Sequence, residues 1–443
     1  MKAPKILRPR VEATPPTAWW MLAVLFGVFA LSFIDRTALA ILAEPIKLDL
    51  RLSDTQMSVL LGPAFTLIYA IFGVILGWAS DRYPRRWVIY FGVTLWSCAA
   101  AATGFVRSFS GLLLSRAGVA VGEGALSPAA MSLIVDTFPR QRLALAMSIY
   151  QSAAYVGMGA AFASVGLIAA NVAAIQRVIP MLAMLRPWEV AFVTVGAPGA
   201  VLALLVFTFG EPPRRVSPAS SEIRSTSRGE IVPFLKAEWR LLALLAGGVS
   251  SMAIAAAALQ AWVPAYLQRH FGWGAAQFGP YLSAAGLIGA VTLMFKGGIM
   301  DWLFGRGIKD AHIRLYTWLL IASTPGIYLL FMIESPKLFI LIYAVVQVIA
   351  LPFAVFVMPA LQLVAPPACR GQIIGGALAV YSAASALGPV IVGVLTDRVF
   401  HDPQSLGLAL GLVLGITFPI AIAMLRLSLR GLRNAIEAAE IAS

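Results

Sequence analysis

The chain contains about twelve apolar stretches, each long enough to cross a bilayer as a helix, which needs about 20 mostly apolar residues. They begin near Trp19, Thr55, Trp87, Gly111, Leu143, Trp188, Leu241, Phe278, Leu315, Leu338, Gly371 and Ser405. The runs are continuous, whereas the strands of a membrane β-barrel are short and alternate with polar residues. With 60% hydrophobic and 12% charged residues, the composition excludes a disordered chain and an ordinary soluble enzyme. The sequence therefore predicts an all-α membrane protein.

The net charge of +13 would indicate nucleic-acid binding in a soluble protein, so the placement of the basic residues matters. If the N-terminus is cytoplasmic, 23 of the 33 lysines and arginines fall on the cytoplasmic side and 8 fall outside. This asymmetry follows the positive-inside rule. We therefore expect no nucleic-acid partner. We expect a multi-pass, monomeric protein of a bacterial inner (plasma) membrane, with both termini in the cytoplasm.

A polar stretch divides the chain near its middle. Residues 211–238 open with two prolines and two arginines and continue through a serine-rich run, which is the composition of a flexible linker. The predicted organisation is a tail at 1–18, a six-helix half at 19–210, this linker, a second six-helix half at 239–430 and a tail at 431–443. A duplicated six-helix unit is typical of transporters, with the substrate cavity between the two pseudo-symmetric halves.

The loop after the second helix reads Gly-Trp-Ala-Ser-Asp-Arg-Tyr-Pro-Arg-Arg over residues 77–86. It resembles the signature loop of the major facilitator superfamily, G-x-x-x-D-R-x-G-R-R, with Pro84 in place of the second glycine. A helix N-terminus carries a partial positive charge, which an acidic side chain can cap. The resemblance implies that Asp81 meets the start of the helix near Gly371 in one conformation. A degenerate second copy implies that Asp301 meets the start near Leu143.

The residues of the two loop copies together form a predicted set that controls the change from one conformation to the other. The arginines are expected to pair with Asp136 at the end of the fourth helix, or else to serve only as topology anchors. The set consists of Gly77, Asp81, Arg82, Arg85, Arg86, Gly297 and Asp301.

The first half also resembles a narrower group, the Spinster-like branch, whose animal members export lysosphingolipids and lysophospholipids. The resemblance rests on Phe-Ile-Asp-Arg at 33–36, Ile-Leu-Ala-Glu-Pro-Ile at 41–46, Leu-Ser-Asp-Thr-Gln at 52–56 and Arg-Ala-Gly-Val-Ala-Val-Gly-Glu at 116–123. It is strongest over residues 20–160. It implies an amphipathic, lipid-like anion as the substrate.

Four charged residues lie inside the predicted spans, where a charge costs a few kcal/mol and is usually paired and functional. Asp35 and Arg36 are adjacent on the first helix. Arg116 and Glu123 are seven residues apart, so they share one stripe of the fourth helix. The directions of the two helices make their depths overlap, which predicts a mutually neutralising cluster. Burial favours a neutral carboxyl and a nearby arginine favours a charged one, so a small movement can exchange a proton.

We predict that Glu123 or Asp35 carries the proton, and that Arg116 or Arg36 binds an anionic head group, since guanidinium suits phosphate and carboxylate. The Spinster-like resemblance implies the same roles at these positions. The alternative is a purely structural salt-bridge network between the first and fourth helices. Other polar side chains in apolar helices are candidates for the cavity wall, and each could instead hold helices together. They are Tyr69, Tyr150, Tyr155, Gln347, Tyr381 and Ser382.

The predicted function is therefore a proton-coupled secondary transporter that moves an amphipathic or organic anion by alternating access. Within this class the alternative is uptake or exchange of a small organic anion without lipid specificity. An enzyme is not expected, because the three histidines are scattered in or near loops and no H-E-x-x-H motif or P-loop occurs. No filter-like segment indicates a channel. The sequence predicts no cofactor and no metal site.

Overall fold

A computed structural model describes residues 15–214, 231–350, 354–366 and 369–442, although the side chains of some helical residues within these ranges, including Asp301, are not described. The described residues are mainly helical and contain no strand. The predicted spans form twelve helical segments, and nine of the helices within the described ranges are long and apolar enough to cross a membrane. The segments are α1 Pro16–Ile41, α2 Asp54–Arg82, α3 Arg85–Thr103, α4 Phe109–Thr137, α5 Arg140–Val178, α6 Pro187–Thr208, α7 Trp239–Phe271, α8 Ala275–Gly305, α9 Ala311–Leu330, α10 Pro336–Ala350 with Ala354–Val364, α11 Arg370–Phe400 and α12 Leu406–Ala442.

Helices α2 and α4 are interrupted where the sequence places glycine or proline. In α2 the regular helix stops at Gly62, just before Pro63, and then resumes. In α4 it turns at Gly124, directly after Glu123. The last turn of α11, Leu395–Phe400, widens to a π-helix. The breaks in α2 and α4 lie next to the charged side chains of the predicted site, so local backbone irregularity positions that site.

The twelve segments form two halves, α1–α6 and α7–α12, that pack together mainly through α5 against α8 and α2 against α11. Small residues allow the two backbones to approach closely at both contacts. A Cβ added to Gly279 in α8 would lie 2.5 Å from the Phe162 carbonyl oxygen, and one added to Gly393 in α11 would lie 2.5 Å from the Asp54 carbonyl oxygen. The absence of a side chain at these glycines is therefore a condition for the observed packing.

The ends of the described chain and residues 211–214 lie on one side of the molecule, which we call the terminal face; the opposite side is the far face. Residues 231–237, within the predicted linker, are helical, and α12 continues as one helix through most of the predicted C-terminal tail. Residues 1–14 of the predicted N-terminal tail and residues 215–230 of the linker lie outside the described residues. The predicted domain boundaries remain a prediction.

Candidate functional site

A cavity of about 330 Å³ lies between the two halves, about midway along the helices. Both halves contribute polar or aromatic side chains to its wall: Phe33, Arg36, Phe65, Tyr69, Arg116, Gln260, Tyr381, Ser382 and Ser385. A second cavity of about 150 Å³ shares Gln260 and Tyr381 with the first. It adds Tyr155, Met158, Tyr343 and Gln347. The two cavities form adjoining lobes of one central site, which the fold places where transporters of this architecture bind substrate.

An ion pair between α1 and α4 borders the larger lobe. The Nε of Arg36 donates to Oε2 of Glu123 at 2.5 Å, and Nη2 of Arg36 contacts the same oxygen. The side chain of Glu123 is 1% exposed, whereas that of Arg36 is 25% exposed. The cation of this pair therefore faces the cavity, and the carboxylate lies behind it.

The two cavity-facing arginines share an aromatic platform. The guanidinium carbon of Arg36 lies 4.4 Å from the centroid of the Phe65 ring and 4.9 Å from that of Tyr69. The guanidinium carbon of Arg116 lies 5.1 Å from the centroid of Phe65. Ring faces attract cations without neutralising their charge. Both guanidinium groups can therefore hold their positions and still bind an anion.

The fourth charge, Asp35, is buried behind this platform with 3% of its surface exposed. Glu123, Arg116 and Arg36 all act on it electrostatically. Among the described residues, Oδ2 of Asp35, Oε1 of Glu123 and Nε of Arg116 are buried without a hydrogen-bond partner. Each such atom costs about 1–3 kcal/mol, so the cluster would gain by taking up a proton or a ligand atom.

The structure thus brings the four predicted intramembrane charges together. Of the six softer candidates, Tyr69, Tyr381 and Ser382 line the larger lobe, and Tyr155, Gln347 and again Tyr381 line the smaller lobe. The sixth, Tyr150, lines neither lobe. It is fully buried inside the first half, where its ring stacks on Phe29 with the centroids 4.6 Å apart.

The arginines of the signature loop hold the terminal-face ends of three helices together. The Arg85 side chain, 1% exposed, forms an ion pair with Asp136 and donates to Ser132 Oγ at 2.9 Å and to the Pro212 carbonyl oxygen at 2.8 Å. Arg86 donates to the Phe209 carbonyl oxygen at 2.8 Å. The pairing with Asp136 expected from the sequence is therefore formed, by Arg85.

The other members of the loop motif lie nearer to solvent. Arg82 is exposed, and its guanidinium carbon lies 4.1 Å from the centroid of the Trp78 ring. A Cβ on Gly77 would make only ordinary contact with Pro128, at 3.7 Å, so close packing does not demand this glycine.

The contact expected between Asp81 and the start of α11 is not made in this conformation. Asp81 is exposed, and a Cβ on Gly371, Gly375 or Gly376 would meet no described atom within 4 Å. The predicted contact of Asp301 falls outside the described residues, as does its partner glycine in the motif, Gly297. At the terminal face, α2 and the start of α11 are therefore apart.

At the far face an ionic cluster joins the halves. Two of its members, Glu44 and Asp54, belong to the sequence motifs quoted above, which assigned them no role. Arg269, near the end of α7, donates to Glu44 Oε2 at 2.6 Å and to the two carboxylate oxygens of Asp54 at 2.6 and 2.9 Å. Lys47 Nζ lies 2.6 Å from Asp54. We call Glu44, Lys47, Asp54 and Arg269 the far-face cluster. Glu44 and Lys47 lie in the short helix Ala43–Leu50, and Asp54 begins α2. The sequence did not mark their pairing, because Arg269 lies more than 200 residues away.

A helix cap reinforces this contact. The carboxylate of Asp397, at the end of α11, accepts hydrogen bonds from the backbone N–H groups of Asp54 at 3.2 Å and Thr55 at 2.6 Å. These groups begin α2, where a negative charge is favourable. The cap links α11 of the second half to α2 of the first. The sequence predicted a contact of the same kind at the terminal face, where Asp81 of α2 would cap α11. Here α11 caps α2, at the opposite end of the same two helices. The structure is therefore closed at the far face.

Comparison with known proteins identifies the architecture. Residues 24–309 match the family model of the Major Facilitator Superfamily. The chain belongs to this superfamily. A bacterial homolog of the human lysosomal transporter Spinster, solved in an inward-facing, unoccupied conformation, superimposes with a TM-score of 0.79 at 24% identity and covers 96% of this chain and 98% of its own. The superfamily fold predicted from the sequence is confirmed.

Relatives of this superfamily member are transporters and not enzymes. An MFS-type efflux pump of Mycolicibacterium smegmatis is 29% identical over 408 residues, 89% of each chain. A hexuronate transporter of Bacillus subtilis is 27% identical over 287 residues, 64% of each chain. Protein spinster of Drosophila melanogaster is 25% identical over 262 residues, 59% of this chain and 41% of the fly protein. The chain is thus a multi-pass membrane transporter, and its resemblance to the Spinster-like branch is confirmed.

Proposed function

We propose that this transporter carries an organic anion together with a proton by alternating access, with an amphipathic, lipid-like anion as the leading substrate class. One observation carries the proposal. The cavity-facing Arg36 is paired with the buried Glu123, whose second oxygen has no hydrogen-bond partner among the described residues. The pair therefore combines an accessible cation with a carboxylate that has few other ways to stabilise its charge.

Binding of an anion to Arg36 would draw the guanidinium away from Glu123. A buried carboxylate that loses its partner cation is strongly destabilised unless it takes up a proton. Protonation of Glu123 in turn frees Arg36 for the anion. Proton and anion then favour each other's binding, which is the thermodynamic basis of coupled transport. Asp35, the second buried carboxyl of the cluster, is the alternative proton carrier.

Alternating access requires that the closed face open and that the open face close. In this structure the far-face cluster and the Asp397 cap close one end of the site. Opening there would separate Arg269 from Asp54, and Asp397 from the start of α2. The matching closure at the terminal face would bring Asp81 to the start of α11, where its charge would stabilise the helix N-terminus. Helices α2 and α11 thus each carry an aspartate that can cap the other helix, Asp397 when the far face is closed and Asp81 when the terminal face is closed.

The shape of the site favours an anion with an apolar body. Its head group would lie at Arg36 and Arg116 in the larger lobe. An apolar portion would extend over Phe65 and into the smaller lobe, where Met158 and Tyr343 contribute to the wall. The sequence similarity to protein spinster, together with the lysolipid export of its branch, supports a lysolipid-like anion.

A small, hydroxylated organic anion is the second candidate. Gln260, Tyr381 and Ser382 face the arginines across the larger lobe and offer hydrogen bonds that a hydrocarbon chain cannot use. The similarity to a hexuronate transporter supports this class. The observation that favours a small organic anion is therefore the polar wall that the second half contributes to the larger lobe.

A thermal-shift panel on the purified protein separates the two classes. The panel contains lysophosphatidate and its zwitterionic counterpart lysophosphatidylcholine, both below their micellar concentrations, and glucuronate with glucose as its neutral counterpart. We expect stabilisation by lysophosphatidate and not by lysophosphatidylcholine. Stabilisation by glucuronate alone would establish the second candidate instead. Stabilisation by neither anion would contradict an anion site.

A matched pair of variants tests whether the ligand that raises the thermal stability binds in the cavity. Arg116→Gln removes a cavity-facing charge and should abolish the shift caused by the anion. Arg177→Gln removes an exposed charge from the far end of α5 and should preserve it. Equal loss in both variants would show that the ligand responds only to net charge.

We also propose that the protein lies in a bacterial inner membrane as a monomer, with the terminal face in the cytoplasm. The excess of lysine and arginine in the loops of that face supports the orientation, and a single chain supplies both walls of the cavity. A cysteine introduced at exposed Leu48 on the far face should react with a membrane-impermeant maleimide in intact cells. One introduced at exposed Tyr83 on the terminal face should react only after permeabilisation. The reverse pattern would invert the topology.

A further inference from the structure

We propose that a groove between α9 and α12 at the terminal face binds the phosphate head group of an anionic phospholipid. The groove has a volume of about 580 Å³ and is lined by four arginines, which we call the arginine groove. Three come from α12 and one from α9: Arg426, Arg430, Arg433 and Arg314. Within the described residues, neither helix contributes to the two lobes of the central site, so this groove is separate from the transport path.

The spacing of the arginines concentrates charge on one side of α12. Positions 426, 430 and 433 follow an i, i+4, i+7 pattern, so their side chains lie along one stripe. Like charges so placed repel one another and destabilise the helix slightly. Topology alone requires only that basic residues lie on this side of the membrane, not that they share one stripe facing another arginine. The arrangement is favourable once an anion lies among them.

Among the described residues, one acid contacts these arginines, and it pairs with two of the four. Oδ2 of Asp310, which is 1% exposed, accepts from Arg314 at 2.9 Å and from Arg433 at 3.1 Å. Arg426 and Arg430 are exposed and form no ion pair with any acid that the structure describes. Glu437, one turn beyond Arg433, likewise has no ion pair with the described arginines. The groove therefore keeps a surplus of positive charge.

The floor of the groove explains why the anion should be a lipid. Trp318 is 60% exposed and Leu427 is 67% exposed, on the outer surface of two membrane-spanning segments. An anionic phospholipid matches this division, because its phosphate can meet the arginines while its chains lie along α9 and α12. Guanidinium groups bind phosphate oxygens in pairs, which adds geometric selectivity to the attraction. A free phosphate ion would leave the apolar floor unused.

Native mass spectrometry of the intact protein in mild detergent tests the proposal, with cardiolipin as probe and phosphatidylcholine as the zwitterionic control lipid. We expect saturable binding of cardiolipin and none of phosphatidylcholine. The double variant Arg426→Gln/Arg430→Gln should bind cardiolipin about thirtyfold more weakly, since each arginine near an anionic lipid surface contributes about a factor of five.

A second double variant, Arg240→Gln/Arg306→Gln, serves as the matched control. It removes the same charge from the same face, and each of its arginines also lies beside a tryptophan, Trp239 and Trp302. It should bind cardiolipin like the unmodified protein. Equal weakening in both double variants would reduce the effect to net charge and overturn the proposal. Displacement of cardiolipin by millimolar inorganic phosphate would also overturn it, by assigning the groove to the free ion.

Discussion

At the scale of single residues, the unequal exposure of Arg36 and Glu123 favours the proposed transport role over a purely structural ion pair. A pair that only joined two helices would be stable when fully enclosed and fully hydrogen-bonded. Here the guanidinium is a quarter exposed to the cavity, and one oxygen of Glu123 lacks a partner among the described residues. Both features support the proposal that a competing anion breaks the pair from the cavity side.

The first prediction concerns the proton carrier. Glu123→Gln keeps the shape of the side chain but cannot bind a proton, and it leaves Arg36 permanently unneutralised. In the unmodified protein, an anion from the panel should bind more tightly as the pH falls, by up to tenfold per pH unit when one proton is taken up. The variant should bind that anion tightly at every pH. Dissociation constants measured by calorimetry across the acidic to neutral range give the comparison.

Two further variants make this comparison decisive. Glu238→Gln removes a carboxylate at the start of α7, away from the cavity, and should retain the normal pH dependence. Asp35→Asn tests the other buried carboxyl. A pH dependence that survives in Glu123→Gln and disappears in Asp35→Asn would assign the proton to Asp35.

The charge cluster was predictable from the sequence, whereas the orientation of Tyr150 was not. Helix direction and position along the chain place Arg36 and Glu123 at similar depths, and the cost of a buried charge favours pairing. A tyrosine in an apolar helix carries no such constraint, because either the cavity or a neighbouring helix can accept its ring. Tyr150 packs on Phe29, while Tyr155, little more than one helical turn later, lines the smaller lobe.

At the scale of helices, α2 and α11 are joined at one end and apart at the other. Asp397 caps the first turn of α2, whereas Asp81, at the last turn of α2, stands away from the start of α11. The sequence identified Asp81 through its motif, but no motif marked Asp397. Its partner groups are backbone amides, which every sequence contains, so only the packing of the halves reveals the cap.

The second prediction concerns the far-face cluster. Arg269→Gln removes the cation between Glu44 and Asp54 and leaves the fully buried Asp54 with Lys47 alone. Removing one partner of a buried ion pair destabilises the state that contains it by about 3–5 kcal/mol. Because Lys47 still neutralises Asp54, we expect a value near the lower end of this range. The closed far face should therefore lose about 3 kcal/mol relative to the open one.

Electron–electron distance measurements report this opening. Spin labels at exposed Leu48 and Val399 span the far face, in a background in which the two native cysteines are replaced by serine. The distance distribution should shift to longer values in Arg269→Gln. Arg186→Gln removes an arginine that pairs with Asp49 within the first half at the same face, and should leave the distribution unchanged. Identical distributions in all three proteins would show that the cluster does not hold the face closed.

The third prediction uses packing instead of charge. Gly393→Ala would place a Cβ 2.5 Å from the Asp54 carbonyl oxygen, so α11 must move away from α2. The same label pair should therefore report opening of the far face with every ionic partner still present. Gly375→Ala lies on the same helix in open space and should not change the distance. A closed far face in Gly393→Ala would mean that the contact can relax locally.

At the scale of the whole molecule, the sequence predicted the architecture and could not predict the conformation. Twelve apolar runs, a polar linker and a repeated loop motif determine two six-helix halves, because each span is encoded locally. Which face of the central site is closed depends on contacts between residues of different halves. In the proposed alternating-access cycle those contacts exchange, so two arrangements of similar energy would be compatible with one sequence.

The last prediction concerns two contacts at opposite faces: the far-face cluster, and the contact proposed between Asp81 and the start of α11. Asp81→Asn removes the charge proposed to cap α11 when the terminal face closes, which should favour the present conformation by about 1 kcal/mol. Arg269→Gln should favour the opposite conformation by about 3 kcal/mol. The two sites lie at opposite faces and share no partner, so their effects should add. The double variant should then show a far-face distance distribution between those of the single variants and nearer to that of Arg269→Gln. A double variant identical to either single variant would show that the two faces are not alternatives in one equilibrium.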